Sequence, residues 1–362
     1  MRPARRGVHP WAWWGWAIGV AAAASLTTNP LLLVLLGLGV TAVMLLRRTD
    51  DPWARSVGVY FALAGFVLVV RLVFQVVMGA GTGPTVVLRL PEVHLPAWAA
   101  GVRLGGAVTA EALAYSLYDS LRLVVVLLCL GAANTLANPR RALRSVPAAL
   151  YEASVAVAIA LSVAPQLIES TQRIRRARRL RGGATKGWRA VVSVVVPVIA
   201  DAIDRSLSLA AGMEARGFGR TRESGPPPRR LTAGLLGGTG LLAFGAFVLL
   251  SVPSALPWAL ACLAAGVATV VAGLRASGRR QRVTRYRPEP WTPRDTALVA
   301  SGVVAAAIVA VLGVAAFDIV HPGTDPLVWP ALHPAFVAAL GGVFGPLALT
   351  PDPAPRAVGV AA

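Results

Sequence analysis

PLLLVLLGLGVTAVMLL, residues 30–46, carries no charged side chain along its whole length, and Arg47 and Arg48 follow it at once. A helix rises 1.5 Å per residue, so about twenty apolar residues cross a hydrocarbon layer of ~30 Å. A backbone in hydrocarbon must satisfy its own hydrogen bonds, and a helix does so within one segment. The arginine pair, with Arg55 beyond it, marks the cytoplasmic end of this span. Working back, Asn29-Pro30 reads as a tight outer turn, and residues 11–28 as a preceding span. Trp11, Trp13, Trp14 and Trp16 in it suit an interfacial aromatic belt. Arg2, Arg5 and Arg6 ahead of Ala22-Ala23-Ala24 resemble a signal peptide. The immediate entry into a second apolar run argues instead for an uncleaved first span of a hairpin.

The same pattern recurs along the chain. Of 362 residues 56% are hydrophobic and 14% charged, whereas a soluble domain carries about a quarter charged residues. Further spans are expected at 57–78, 231–251, 256–274, 296–317 and 329–349. A Gly/Pro-rich loop with Glu92 and His94 is expected after the third span. Residues 98–137 read as one tilted or broken helix with Arg103, Glu111, Asp119 and Arg122 facing protein or headgroups. Arg71 and this group are functional candidates, because ionisable side chains are costly within spans. The net charge of +19 lies in the short polar stretches between apolar runs, which is the positive-inside pattern and not a nucleic-acid-binding face. The expected fold is all-α: a polytopic helical membrane protein with about eight transmembrane helices and a cytoplasmic helical domain. Its expected location is the cytoplasmic (inner) membrane, with both termini cytoplasmic.

Residues 138–230 differ in character, holding 17 of the 35 basic residues. They divide the chain into an N-terminal membrane part (1–137), an arginine-rich cytoplasmic part (138–230) and a C-terminal membrane part (231–362). Apolar segments 146–168 and 190–200 are flanked by charge at both ends, so we read them as long helices at the cytoplasmic surface, a place for anionic lipid. Gly15/Gly19, Gly234/Gly238 and Gly341/Gly345 put small residues one turn apart and favour close helix packing.

Nucleotide-binding, zinc-protease and serine-hydrolase motifs are missing. Cys129 and Cys262 lie in apolar runs, and His9, His94, His321 and His333 are scattered, so neither metal nor cofactor is expected. The chain reads as a non-catalytic membrane subunit. Its informative features are two helix ends. One runs from Pro165 through Arg173 and Arg179 to Leu180-Arg181-Gly182. The other runs from Pro197 through Asp201, Asp204 and Glu214 to Ala215-Arg216-Gly217. Glycine there tolerates the left-handed conformation of a helix C-cap. The arginine before it then projects as a planar fork toward a partner's carboxylate or carbonyls. Asp201 and Asp204 are placed to pair with the arginines of the first helix.

AAGMEARGFG, residues 210–219, resembles the second Ala-Arg-Gly signature of the transmembrane T component of energy-coupling factor (ECF) transporters. RRARRLRGG, residues 175–183, resembles the first signature, with Leu180 where that family has alanine. Arg122 in SLRLVVVLL and the following ANPRRAL also resemble its pattern, and the likeness covers roughly residues 10–250. The resemblance implies that Arg181, Gly182, Ala215, Arg216 and Gly217 dock two ABC-type ATPase subunits, with Asp201, Asp204 and Glu214 supporting the coupling helices. It also implies a small membrane S component that sets the substrate, a vitamin or a transition-metal ion. A stand-alone secondary transporter and a membrane scaffold remain the alternatives.

Overall fold

A computed structural model describes residues 7–48, 57–79, 83–94, 103–146, 148–180, 188–218, 228–251, 255–280 and 289–351. The chain forms two compact units. One comprises residues 1–142 and 289–362, the other residues 143–288.

The first unit contains α1 (Pro10–Ser25), α2 (Pro30–Arg47), α3 (Val57–Met78), β1 (Val86–His94), β2 (Arg103–Thr109), α4 (Ala110–Leu136), α10 (Pro293–Ala315), α11 (Phe317–Val320) and α12 (Ala335–Leu349). Its core joins the chain's two halves. Trp16 and Val20 of α1, Leu36 and Val40 of α2, Leu128 and Ala132 of α4, Ala305 and Val309 of α10, and Phe336 and Val343 of α12 belong to one buried cluster. Gly19 and Gly302 let α1 and α10 touch backbone to backbone. A Cβ on Gly302 would sit 2.4 Å from the Trp16 carbonyl oxygen, and one on Gly19 would sit 2.5 Å from the Gly302 carbonyl carbon.

Asn29-Pro30 makes the expected turn, and its polar groups have specific partners. The fully buried Asn29 side chain accepts from the Leu31 and Leu32 amides, capping α2, while its Nδ2 donates to the Ile319 and Ala331 carbonyls. Thr27 Oγ1 donates to the Val320 carbonyl at 2.8 Å. A turn out of reach of water has no other source of partners, so it is tied to the segment around α11. At the opposite end of α1, the His9 amide donates to Asp295 Oδ1 at 2.8 Å, and Asp295 also closes a capping box with Thr292 at the start of α10. His9 is thus a buried N-cap residue of α1.

Two expectations change here. Residues 86–94 and 103–109 form an antiparallel pair of strands, where a loop and the start of a helix were expected. Gly105 and Gly106 have φ of +86° and +103°, values that exclude helix. Helix α4 therefore begins only at Ala110, where the Thr109 hydroxyl accepts from the Ala112 amide. Residues 98–102 lie outside the described residues. The second change concerns α1, which has 16 residues, ends at Ser25 and falls short of the 11–28 span.

The second unit contains a 3-10 turn (Ala148–Leu150), α6 (Tyr151–Leu180), α7 (Trp188–Ala215), α8 (Arg229–Ser251) and α9 (Leu256–Arg280); α5 (Pro139–Arg144) precedes them at the boundary. Gly238 and Gly245 of α8 face Gly266, Leu263 and Val270 of α9. Of the paired glycines read from sequence, Gly15 and Gly19 both line a seam, whereas Gly234 and Gly341 face open space. In α8 and α9 the operative repeat is seven residues, Gly238/Gly245 and Gly266/Gly273, which keeps small residues on one seam for two turns each.

Among the described residues seven helices are long and apolar enough to cross a membrane: α2, α3, α4, α6, α8, α9 and α10. The shorter apolar helix α12 adds to them. The protein is a polytopic α-helical membrane protein. Helix α6, expected at the surface, has the length and composition of a span despite Pro165, and α7 continues through Pro197.

Candidate docking site on the arginine-rich helical hairpin

Helices α6 and α7 run antiparallel and are joined at their middle by a polar cluster. Ser170, almost fully buried, donates from its hydroxyl to Asp201 Oδ2 at 2.6 Å. Arg205, one turn on from Asp201, brackets the same carboxylate at 2.9 and 3.2 Å and reaches Gln166 of α6 at 3.2 Å. Arg173 of α6 lies 3.8 Å from Asp201. One carboxylate thus collects a hydroxyl and two guanidinium groups from both helices.

The Ser170 hydroxyl and, after it, the Arg205 guanidinium hold the Asp201 carboxyl below the ordinary aspartate value of 3.8. A depressed carboxyl pKa favours the folded state only while the group is ionised. Its contribution is present above the ordinary value and is lost as pH falls through the lowered one. We expect the hairpin to be unaffected by pH from about 5 to 8 and to loosen below about pH 4. Asp201→Asn should reproduce the loosening at neutral pH, raising amide exchange of residues 166–174 by about three- to tenfold. Equal exchange in wild type and variant would show that the cluster does not hold the hairpin.

The C-terminal end of α7 is closed by a Schellman motif. The Phe218 amide donates to the Met213 carbonyl at 3.0 Å and the Gly217 amide to the Glu214 carbonyl at 2.8 Å. Gly217 has φ of +73°, the left-handed conformation that ends the helix. The Phe218 ring packs against Tyr151 at the start of α6, with centroids 5.9 Å apart. Ala215 and Arg216 are exposed at this end, so the cap and the aromatic contact set the direction in which the guanidinium leaves the helix.

Of the residues expected at the site, Asp201 meets Arg173 of the first helix as anticipated. Asp204 and Glu214 are exposed and make no ion pair among the described residues. Arg181 and Gly182 lie outside the described residues; Leu180 is the last described residue of α6. Ten residues separate Leu180 from Ser170, and fourteen separate Ala215 from Asp201. At 1.5 Å per residue, the two C-terminal helix ends are therefore roughly 36 Å apart along the hairpin. Sequence reasoning missed Ser170, Gln166, Tyr151 and Phe218, whose roles depend on the partner helix. Arg205 was legible as the i+4 neighbour of Asp201.

Among the described residues no group of three histidine, cysteine or acidic side chains is placed to hold a metal ion. His321 stacks on Phe317, and Cys129 is buried in the apolar core.

The family model described as CbiQ, cobalt transport protein, matches residues 6–227, a range that contains the hairpin and both arginine-glycine pairs, 181–182 and 216–217. The chain belongs to the CbiQ family. The energy-coupling factor transporter transmembrane protein EcfT of Leuconostoc gelidum subsp. gasicomitatum is 28% identical over 127 residues, which cover 31% of this chain and 47% of that relative. The match thus spans about half the length of the relative. As a CbiQ-family member this chain is a multi-pass membrane protein. Helices α8 to α12 lie beyond the matched range.

Proposed function

We propose that this CbiQ-family protein is the transmembrane coupling subunit of an ECF-type ABC importer. The observation that carries the reading is the α6–α7 hairpin, capped at one end by Gly217 after the exposed Arg216 and joined at its middle by a charged cluster. In this reading Arg216 at one end serves one ATPase subunit, and Arg181, the residue after Leu180 in the sequence, serves the other. Each guanidinium is suited to a carboxylate or to backbone carbonyls in a groove of the ATPase. Ser170, Asp201 and Arg205 keep the helices moving as one body when the ATPases close. Hydrolysis of ATP belongs to the partner, and this chain is not catalytic.

The exposed apolar face of α7, with Val192, Val196, Ile199 and Ile203, supports a small membrane S component as the second partner. The S component would set the substrate, a vitamin or a transition-metal ion. The exposed arginines between Arg173 and Arg179 fit anionic lipid at the cytoplasmic face. With the basic clusters on one side of the cytoplasmic membrane, both termini are cytoplasmic.

The test is purification of the tagged chain from its native membranes beside the Arg181→Ala/Arg216→Ala double variant. ABC ATPases are expected to accompany the wild type and to be lost from the variant by tenfold or more. A wild-type preparation without any ATPase would overturn the reading.

A further inference from the structure

Helix α4 has 27 residues and is about 40 Å long, roughly seven residues more than the hydrocarbon layer requires. The excess lies at its N-terminal end. Residues 110–120 include Glu111, Tyr115, Ser116, Tyr118, Asp119 and Ser120, whereas Leu123–Ala133 is wholly apolar. The hydrocarbon boundary therefore falls close to Asp119. Tyr115, one turn before Asp119, is 62% exposed, as an aromatic residue at headgroup level would be.

A charged group sits at that depth. Asp119 accepts from Arg71 of α3 on Oδ2 and from Arg122 of its own helix on Oδ1. Two guanidinium groups and one carboxylate leave a charge of +1, and among the described residues no second acid pairs with either arginine. The arginine side chains are 41% and 36% exposed, and each guanidinium has more donors than the one it gives to Asp119. At the membrane boundary the guanidinium groups meet the headgroup layer, where phosphate oxygens are the partners suited to their remaining donors. One turn on from Arg71 along α3, Phe74 is exposed and apolar, a surface suited to an acyl chain.

We propose that Arg71, Asp119 and Arg122 form a phosphate site for a phospholipid headgroup at the membrane boundary nearer the N-terminal end of α4. A phosphodiester carries one negative charge and two unesterified oxygens, matching the excess charge and the two guanidinium forks. The bound lipid would fix the α3–α4 pair at a defined depth. The site is separate from the α6–α7 hairpin and does not rest on the reading of that hairpin as a coupling element.

The test uses the full chain in phosphatidylcholine nanodiscs containing a photoactivatable phosphatidylglycerol with its reactive group next to the phosphate. Label is expected in peptides covering residues 66–78 and 115–126. It should fall at least fivefold in Arg71→Gln/Arg122→Gln, with labelling elsewhere unchanged. Asp119→Asn raises the local charge to +2 and should increase label at the same peptides, which keeps the test informative if the double variant fails to fold. Label at these peptides that is indifferent to both changes would overturn the site. So would label that disappears in the complex purified with its membrane partner, since the arginines would then serve an acidic side chain on that partner.

Discussion

Gly217→Val is expected to weaken ATPase copurification as much as Arg216→Ala does, about ten- to a hundredfold, although valine leaves every arginine in place. At φ of +73° a β-branched residue is a steric outlier, and the left-handed region costs an ordinary residue roughly 1–2 kcal/mol. The chain escapes by abandoning the Schellman cap. The Phe218 amide then leaves the Met213 carbonyl, the ring leaves Tyr151, and Arg216 loses its fixed exit direction. A charge-assisted contact made by a wandering guanidinium gains little, because the ordering cost falls on binding. Gly217→Asn is the control, since asparagine tolerates this conformation, and it should retain most of the ATPase. The measurement is the ratio of ATPase to tagged chain in purified complexes. Wild-type ratios for Gly217→Val would sink the idea that the cap aims Arg216.

Gly302→Leu should have the largest effect on stability, about 3 kcal/mol or more by denaturant titration in micelles. The obstacle is backbone: the new Cβ would meet the Trp16 carbonyl oxygen at 2.4 Å, and a rigid helix cannot move aside as a side chain can. Helices α1 and α10 would separate, opening the cluster that joins both halves of the first unit. Gly302→Ala should already be destabilising. Gly313→Leu, on the same helix with open space around it, should cost well under 1 kcal/mol. Equal behaviour of Gly302→Leu and Gly313→Leu would remove the α1–α10 contact from the account.

Much of this was legible because membranes simplify the reading. Hydrocarbon demands long apolar helices, so residues 30–46, 57–78 and 231–251 announce themselves by composition alone. The Asn29-Pro30 turn follows from local chemistry, and so does the glycine cap at 217, which needs only residues adjacent in the chain. The strands at 86–109 were hidden by a short apolar run that helix and strand share, and the two positive-φ glycines were the neglected signal. The Asp201–Arg205 pairing lies within one helix, yet the decisive Ser170 bond needed the antiparallel register of α6.

The amino-acid sequence by itself determined the solvent of this protein, the approximate places where its helices cross and the residues that end α7, because these depend on apolar run length and on capping within a few residues. Only the tertiary structure decided that α10 and α12 close onto α1 and α2, that Gly302 is irreplaceable while Gly313 is not, and that Asp119 collects two arginines from different parts of the chain. Those outcomes depend on which helix faces which and at what register, and helices made of similar aliphatic residues carry almost no local record of their neighbours.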